Sequence, residues 1–346
     1  MNWMKRHFKY INMVWASILL LGSCTSESGT GTPDVTPTPV KTDTQHEIQL
    51  QVTDRKANTR ALVNSESDLR SSNIRIDAFF HNTTTTYLNN SKLKYVTDAW
   101  KFVDNANADA VLTYYWPIAG SVHTATGASS LDFAGYYPYD YTNNRPTTNS
   151  HVTLGTYNTT DGINFSCSNL PLPGDQGSLD EFLYAFVPEQ TSNSNSGTVN
   201  LALQHPFSKI SFQVSRAYIN LTLNSVTISG FKRSGSFNYK NNPQWLPSGD
   251  SYNNFTMTVS KSYGSSYSFP DAIGGPYIVI PQSADLTFTI NATWAGWSPS
   301  TKNIEIPVHV EWLPNTSYTY HLDLDATNFS VSVEAWGTNT DYPLNY

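Results

Sequence analysis

The chain has 346 residues, enough for two domains with cores of their own. Only 14% of residues are charged against 13% aromatic, Tyr alone counts 21, and Ser, Thr and Asn fill much of the polar space, a composition that favours strands and turns over helices. A net charge of −7 with no basic stripe excludes nucleic acid as partner.

Residues 1–24 read as an export leader. Lys5, Arg6, His7 and Lys9 form its positive end, and the apolar stretch from Ile11 to Leu21 is too short for an ordinary membrane span. It ends in Leu21-Gly22-Ser23-Cys24, which resembles a bacterial lipoprotein signal. Residues 1–23 are then the removed signal peptide, and the Cys24 thiol is the lipidation site; several acyl chains on one residue anchor a protein stably. The plainer alternative is a secretory leader that happens to end near a Cys. Residues 24–45, rich in Thr, Pro, Gly and Ser, are a flexible tether with almost nothing to bury.

The first strand expected is HEIQLQV, residues 46–52. Ile48, Leu50 and Val52 alternate with Glu47, Gln49 and Gln51, the period of a half-buried strand. A polar stretch with Arg55, Arg60 and Arg70 follows, so one cut there would separate the strand from the body; composition alone makes it an ordinary solvated loop. Further strands are expected at 74–80, 93–96, 100–103, 111–116, 131–141, 162–166 and 182–187. Cys167 reads as a small buried hydrophobe. Short strands at intervals of about ten residues, with turn residues between them, predict a β-sandwich.

The polar run 192–197, SNSNSG, reads as a linker, which puts a first domain at 46–191 and a second at 197–346. The second opens with Val199, Leu201 and Leu203 in alternation, a break at His205-Pro206, and Ile210, Phe212 and Val214. Strands follow at 221–228, 255–259, 277–280, 286–294, 304–312, 318–324 and 329–336. Turns are expected at Ser229-Gly230, Ser234-Gly235, Gly274-Gly275 and Pro314-Asn315. The last strand alternates Phe329, Val331, Val333 and Ala335 with polar residues near the C-terminus, where a segment is open to movement.

Catalytic constellations are scarce. There is no HExxH, no Gly-rich phosphate loop and no GxSxG elbow. Asp323 and Asp325 share one strand face, where a carboxylate pair or part of a calcium site is conceivable; they read instead as the solvent face of an amphipathic strand. His205 reads as a structural histidine at a strand break, and Asp180-Glu181 as a polar cap before FLYAFV. The rings of Tyr136, Tyr137, Tyr139 and Tyr141, and of Trp294 and Trp297, would suit sugar faces if exposed, though strands and interfaces favour them equally.

Taken together, the leader ending in Cys24, EIQLQV followed by Thr59-Arg60-Ala61, FAGYYPYD, FLYAFVPEQ, LALQHPFSKISFQV, ISGFKRSGSF, YIVIPQ, EWLPNTSYTYHLDL and a terminal VEAW resemble the fimbrillin family. These are the surface pilin and adhesin lipoproteins of gut and oral Gram-negative anaerobes. The resemblance implies an all-β chain of two tandem transthyretin-like β-sandwich domains, no enzyme activity, and placement in the outer membrane or fimbrium; no cofactor and no metal site are expected. It implies other fimbrial subunits as partners, the outer membrane through a lipid anchor, and a host or microbial surface glycan or protein. It further implies cleavage by an Arg-specific protease between Arg60 and Ala61, with Arg55 and Arg70 as alternatives. Loss of Ile48, Leu50 and Val52 then leaves a groove for a neighbour's strand, for which Phe329, Val331, Val333 and Ala335 are patterned as donor. The competing function is a glycan-binding surface lipoprotein.

Overall fold

The structure, a computed structural model, describes residues 46–54, 66–104, 107, 109–117, 130–139, 141–142, 145–146, 151–162, 164–172, 176, 181–238, 244–250, 253–325 and 328–336. It is all-β apart from short helical turns. In chain order the first half carries β1 (Gln49–Asp54), helix α1 (Glu66–Arg70), β2 (Asn73–Phe80), β3 (Thr86–Val96), β4 (Ala99–Val103), β5 (Val111–Leu112) and β6 (Leu131–Tyr137). Then come β7 (Tyr141–Thr142), β8 (Arg145–Pro146), β9 (Val152–Leu154), β10 (Phe165–Cys167) and β11 (Leu183–Gln190). The second half carries β12 (Thr198–Leu203), β13 (Ser208–Ala217), β14 (Leu221–Phe231), β15 (Ser234–Asn238), β16 (Gln244–Ser248) and β17 (Asn253–Tyr263). It ends with β18 (Asp271–Val279), β19 (Ser283–Thr293), β20 (Thr301–Glu311), β21 (Ser317–Asp325) and β22 (Asn328–Trp336).

A six-stranded sheet, β11-β6-β2-β3-β4-β5, organises the first half. Its central strands are covered on both faces. Along β2, Ile74, Ile76, Ala78 and Phe80 enter one core, which β1 and β12 cover; Phe79 enters the other, where β9, β10, β15 and β16 lie. β11 repeats the division, with Leu183 and Ala185 on the first side and Tyr184 on the second. Two-sided burial explains why these strands are nearly continuous in apolar residues instead of alternating with solvent-facing ones. The polar residues on β2's second face are paired: Arg75 and Asp77, both buried, meet at 2.9 Å.

The second half is a sandwich of two four-stranded sheets, β18-β13-β21-β22 and β17-β14-β19-β20. Ile210, Phe212, Tyr320 and Leu322 from one meet Val226, Ile228, Phe288 and Ile290 from the other. The outer face of the second sheet is polar in an unusual way. Thr222 stands beside Ser262 and Thr293, and Thr227 beside Thr256 and Thr289.

The two halves interlock. β15 and β16 leave the second half to pair with β10 and β9, forming one sheet, β16-β15-β10-β9. Its Phe165 and Phe237 stack at 4.7 Å between ring centres. In the other direction β12, expected to open the second half, pairs with β1 and buries Val199, Leu201 and Leu203 in the first core. Three expected turns are corrected. Ser229-Gly230 lies inside β14, Ser234-Gly235 starts β15, and Gly274-Gly275 lies inside β18. Gly230 (φ 99°) and Gly275 (φ 100°) sit at irregular register positions in positive-φ conformations that side-chain-bearing residues rarely adopt. At Gly275 a Cβ would also stand 2.7 Å from the Ile210 carbonyl oxygen. The expected strand at 111–116 is reduced to Val111–Leu112, with Val111 and Tyr115 exposed.

Candidate assembly site

β1 pairs with β12 in parallel, Gln49 opposite Thr198 through Asp54 opposite Leu203. Ile48, Leu50 and Val52 point into the core, at 3%, 7% and 1% exposure, while Gln49, Gln51 and Thr53 face outward. Their neighbours in that core include Leu201 on β12, Ile76 on β2 and Phe102 on β4. The entry to β1 is held from its other side. Ile48 donates its backbone N–H to the Tyr114 carbonyl at 2.8 Å, and Trp116 donates to the His46 carbonyl at 2.8 Å. Beyond that clamp, a groove of about 290 Å³ opens between β1 and β4, lined by Leu50, Trp100, Phe102 and Leu112 among others. Three apolar side chains of this size contribute roughly 5–9 kcal/mol gross when buried. Nothing in the arrangement needs covalent chemistry: it is a seat for an extended segment, with ladder hydrogen bonds on one flank and apolar sockets beneath.

The other predicted assembly element, β22, runs antiparallel to β21 over its whole length, from Asn328 opposite Asp325 to Trp336 opposite Ser317. It forms the edge of its sheet. Its apolar face is graded. Phe329 and Val331 pack against the second core, whereas Val333 is 48% exposed and Ala335 is exposed. Cys24, Arg55, Arg60 and Ala61 lie outside the described residues. Arg70, the alternative cleavage position, closes α1 with its guanidinium 4.6 Å from the centre of the Tyr95 ring.

A buried ionic cluster joins the halves, and sequence reading found only part of it. Glu181, expected as a polar cap, is buried and accepts a hydrogen bond from His205 Nδ1; Lys209 Nζ lies 2.8 Å from the same oxygen. Burial pushes the Glu181 carboxyl up, but the charges and hydrogen bonds of His205 and Lys209 outweigh it and hold the group down at about 2. His205 is therefore structural, as its position at a strand break suggested. A second buried carboxylate, Asp132, accepts from His81 Nδ1 (2.7 Å), the Tyr157 hydroxyl (2.6 Å) and the Glu189 N–H (2.8 Å). No local pattern marks it, because its partners come from three different segments.

Asp323 and Asp325 share the outward face of β21, and Arg216 Nη2 pairs with them at 3.0 and 3.7 Å. Leu322 and Leu324 are buried on the other side, as expected. In the ring cluster around Pro138, Tyr136 and Tyr139 are buried and Tyr137 is half-buried. Trp294 and Trp297 are half-buried at the end of the second sandwich, with Trp297 5.9 Å from Phe329 between ring centres. Cys167 is buried, as expected.

A fimbrial protein from Bacteroides vulgatus shares the fold at TM-score 0.58, with 15% identity over 84% of this chain and 99% of its own. A fimbrial assembly protein from Parabacteroides distasonis aligns at TM-score 0.43 and 12% identity, covering 83% of this chain and 95% of its own. The tip fimbrial protein Mfa3 from Porphyromonas gingivalis aligns at TM-score 0.34 and 11% identity, covering 77% and 94%. No curated protein matches the chain in sequence. The fimbrillin-like family profile matches residues 59–336, from just before Arg60 to the end of β22, and the chain belongs to that family.

Proposed function

We propose that this chain is a structural or adhesive subunit of a cell-surface fimbria, anchored as an outer-membrane lipoprotein through Cys24 and assembled by strand donation. The observation that carries this reading is the seat of β1. The strand is the first of the body, it is linked onward through the arginine-bearing segment, and it fills an apolar slot along β12. Cleavage after Arg60 would release β1, and a neighbour's strand would take over both the ladder bonds and the sockets of Ile48, Leu50 and Val52. β22 suits the donor role, being an edge strand whose Val333 and Ala335 are uncovered. Catalysis is no part of this role.

The test is to incubate the purified chain with an Arg-specific protease, sequence the new N-terminus and follow size by light scattering. Cleavage to Ala61 followed by growth of oligomers is expected. A trimmed body that stays monomeric at high concentration would rule out strand-donated polymerisation.

A further inference from the structure

Over most of its length the outer face of the sheet β17-β14-β19-β20 is built of neutral hydrogen-bonding side chains; of its charged groups, Asp285, His309 and Glu311 gather at the end where Ser283 pairs with Glu311. From the rung of Thr293 and Thr301 to the rung of Thr287 and Pro307, each outward position is Ser, Thr or Asn except Glu305 and Pro307. Lys and Arg do not occur there. The opposite outer face of the same sandwich carries its charges mid-sheet, with Arg216 paired to Asp323 and His321 3.4 Å from Glu334.

The neutral side chains are tied to one another across strands. Thr227 and Thr256 meet at 2.8 Å, Thr222 and Ser262 at 2.7 Å, and Thr293 and Thr301 at 2.9 Å. Asn224 donates to Asn291 at 2.7 Å, and Asn291 donates in turn to Asn303 at 2.5 Å. Threonine is stiff at χ1, so this lattice is fixed before any partner arrives and little side-chain entropy is lost on binding. A hydroxyl or carboxamide engaged once still has further donor or acceptor capacity.

We infer that this face is a docking surface for a neutral polysaccharide. A polymer of sugar hydroxyls meets donors and acceptors at every rung, whereas an anionic polymer finds no Lys or Arg along them and carboxylates at Glu305, Asp285 and Glu311. A protein partner is a poorer match, since protein interfaces centre on buried aromatic and apolar anchors and these rungs have none. At the rung end, the turn between Thr293 and Thr301 carries Trp294, whose ring packs edge-on against the 45%-exposed Tyr218 at 5.0 Å.

Affinity electrophoresis of the full, uncut chain in gels containing dextran, xylan, mannan or mixed-linkage glucan tests this, with alginate and heparin as charged counterparts. Retardation by at least one neutral polymer and by neither charged one is expected. Thr227→Lys and Thr289→Lys should weaken it about tenfold or more, Tyr218→Ala less, and Ser330→Lys on the opposite face not at all. If the lysine variants melt early, Thr227→Val and Thr289→Val carry the comparison. The inference is overturned if no neutral polysaccharide retards the chain, if charged polymers do so equally, or if face variants bind normally. It is also overturned if sedimentation shows that the variants abolish self-association instead, which would make the face an interface between copies. Because the protein is uncut, failure here leaves the strand-donation reading standing, and the reverse.

Discussion

Lys209 sets its ammonium 2.8 Å from the Glu181 carboxylate, tying a strand of the second sandwich to the foot of β11 in the first layer. Both groups are buried, so neither charge can be left alone at low cost. Glu181→Gln removes the charge that His205 and Lys209 face, and a loss of about 3–5 kcal/mol is expected at neutral pH. The sign of the pH dependence follows from the direction of the shift. The folded carboxyl lies at about 2, below its ordinary 4.5, so its contribution is complete above the ordinary value and declines as pH falls toward 2. Urea melts of both proteins at pH 7 and pH 3 check this: the gap should narrow at the lower pH, and an equal gap would contradict it.

Leu50→Ala removes a socketed side chain from β1, and Gln51→Ala changes only the outward face. The first should cost about 2–5 kcal/mol in chemical denaturation. The second should stay within about 0.5 kcal/mol. Equal effects would mean that β1 is not seated as described.

For β22, Val333→Asp should leave the melting temperature of the monomer almost unchanged, because Val333 is 48% exposed. The same variant should slow or abolish polymer growth after cleavage, since an aspartate cannot enter an apolar socket. Normal polymer growth by Val333→Asp would remove β22 as the donor.

Burial pushes the Cys167 thiol up to about 12, against a smaller opposing effect from Arg233. In a Cys24→Ser background Cys167 is the sole thiol. A thiol reagent at pH 8 should label it only after denaturant is added; prompt native labelling would contradict the packing.

Tyr157→Phe deletes one of three donors to Asp132, which is fully buried. Leaving a buried carboxylate short of a donor should cost about 1–3 kcal/mol. The thermal shift of this variant should exceed that of His151→Ala, whose ring makes an exposed hydrogen bond.

Strands were legible in the sequence where one face is wet. Ile48, Leu50 and Val52, and again Tyr318, Tyr320, Leu322 and Leu324, declare themselves by period two. What was not legible depends on distant partners. Glu181 passes for a cap until His205 and Lys209 fold onto it, and Asp132 has no local sign at all. Gly230, Gly235 and Gly275 read as turns because glycine commonly marks chain reversal, yet two of them sit at irregular register positions and the third opens a strand. The interlocking sheet was hidden for the same reason: β10 and β15 are short, and each needs the other half of the chain as its neighbour. At the assembly site the pattern of β1 is visible, whereas its pairing with β12 is not, since the polar run before β12 resembles a boundary.

The parallel pairing of β1 with β12 also sets an order of events during synthesis. β1 is the first strand of the body to emerge, but the edge that receives it comes only with Thr198–Leu203, after the whole six-stranded sheet. Throughout that interval Ile48, Leu50 and Val52 lack the β12 flank of their seat, and an incompletely paired apolar strand attracts any chain nearby. Closure of each copy on itself therefore waits on Thr198–Leu203, the last piece of the first core to be made.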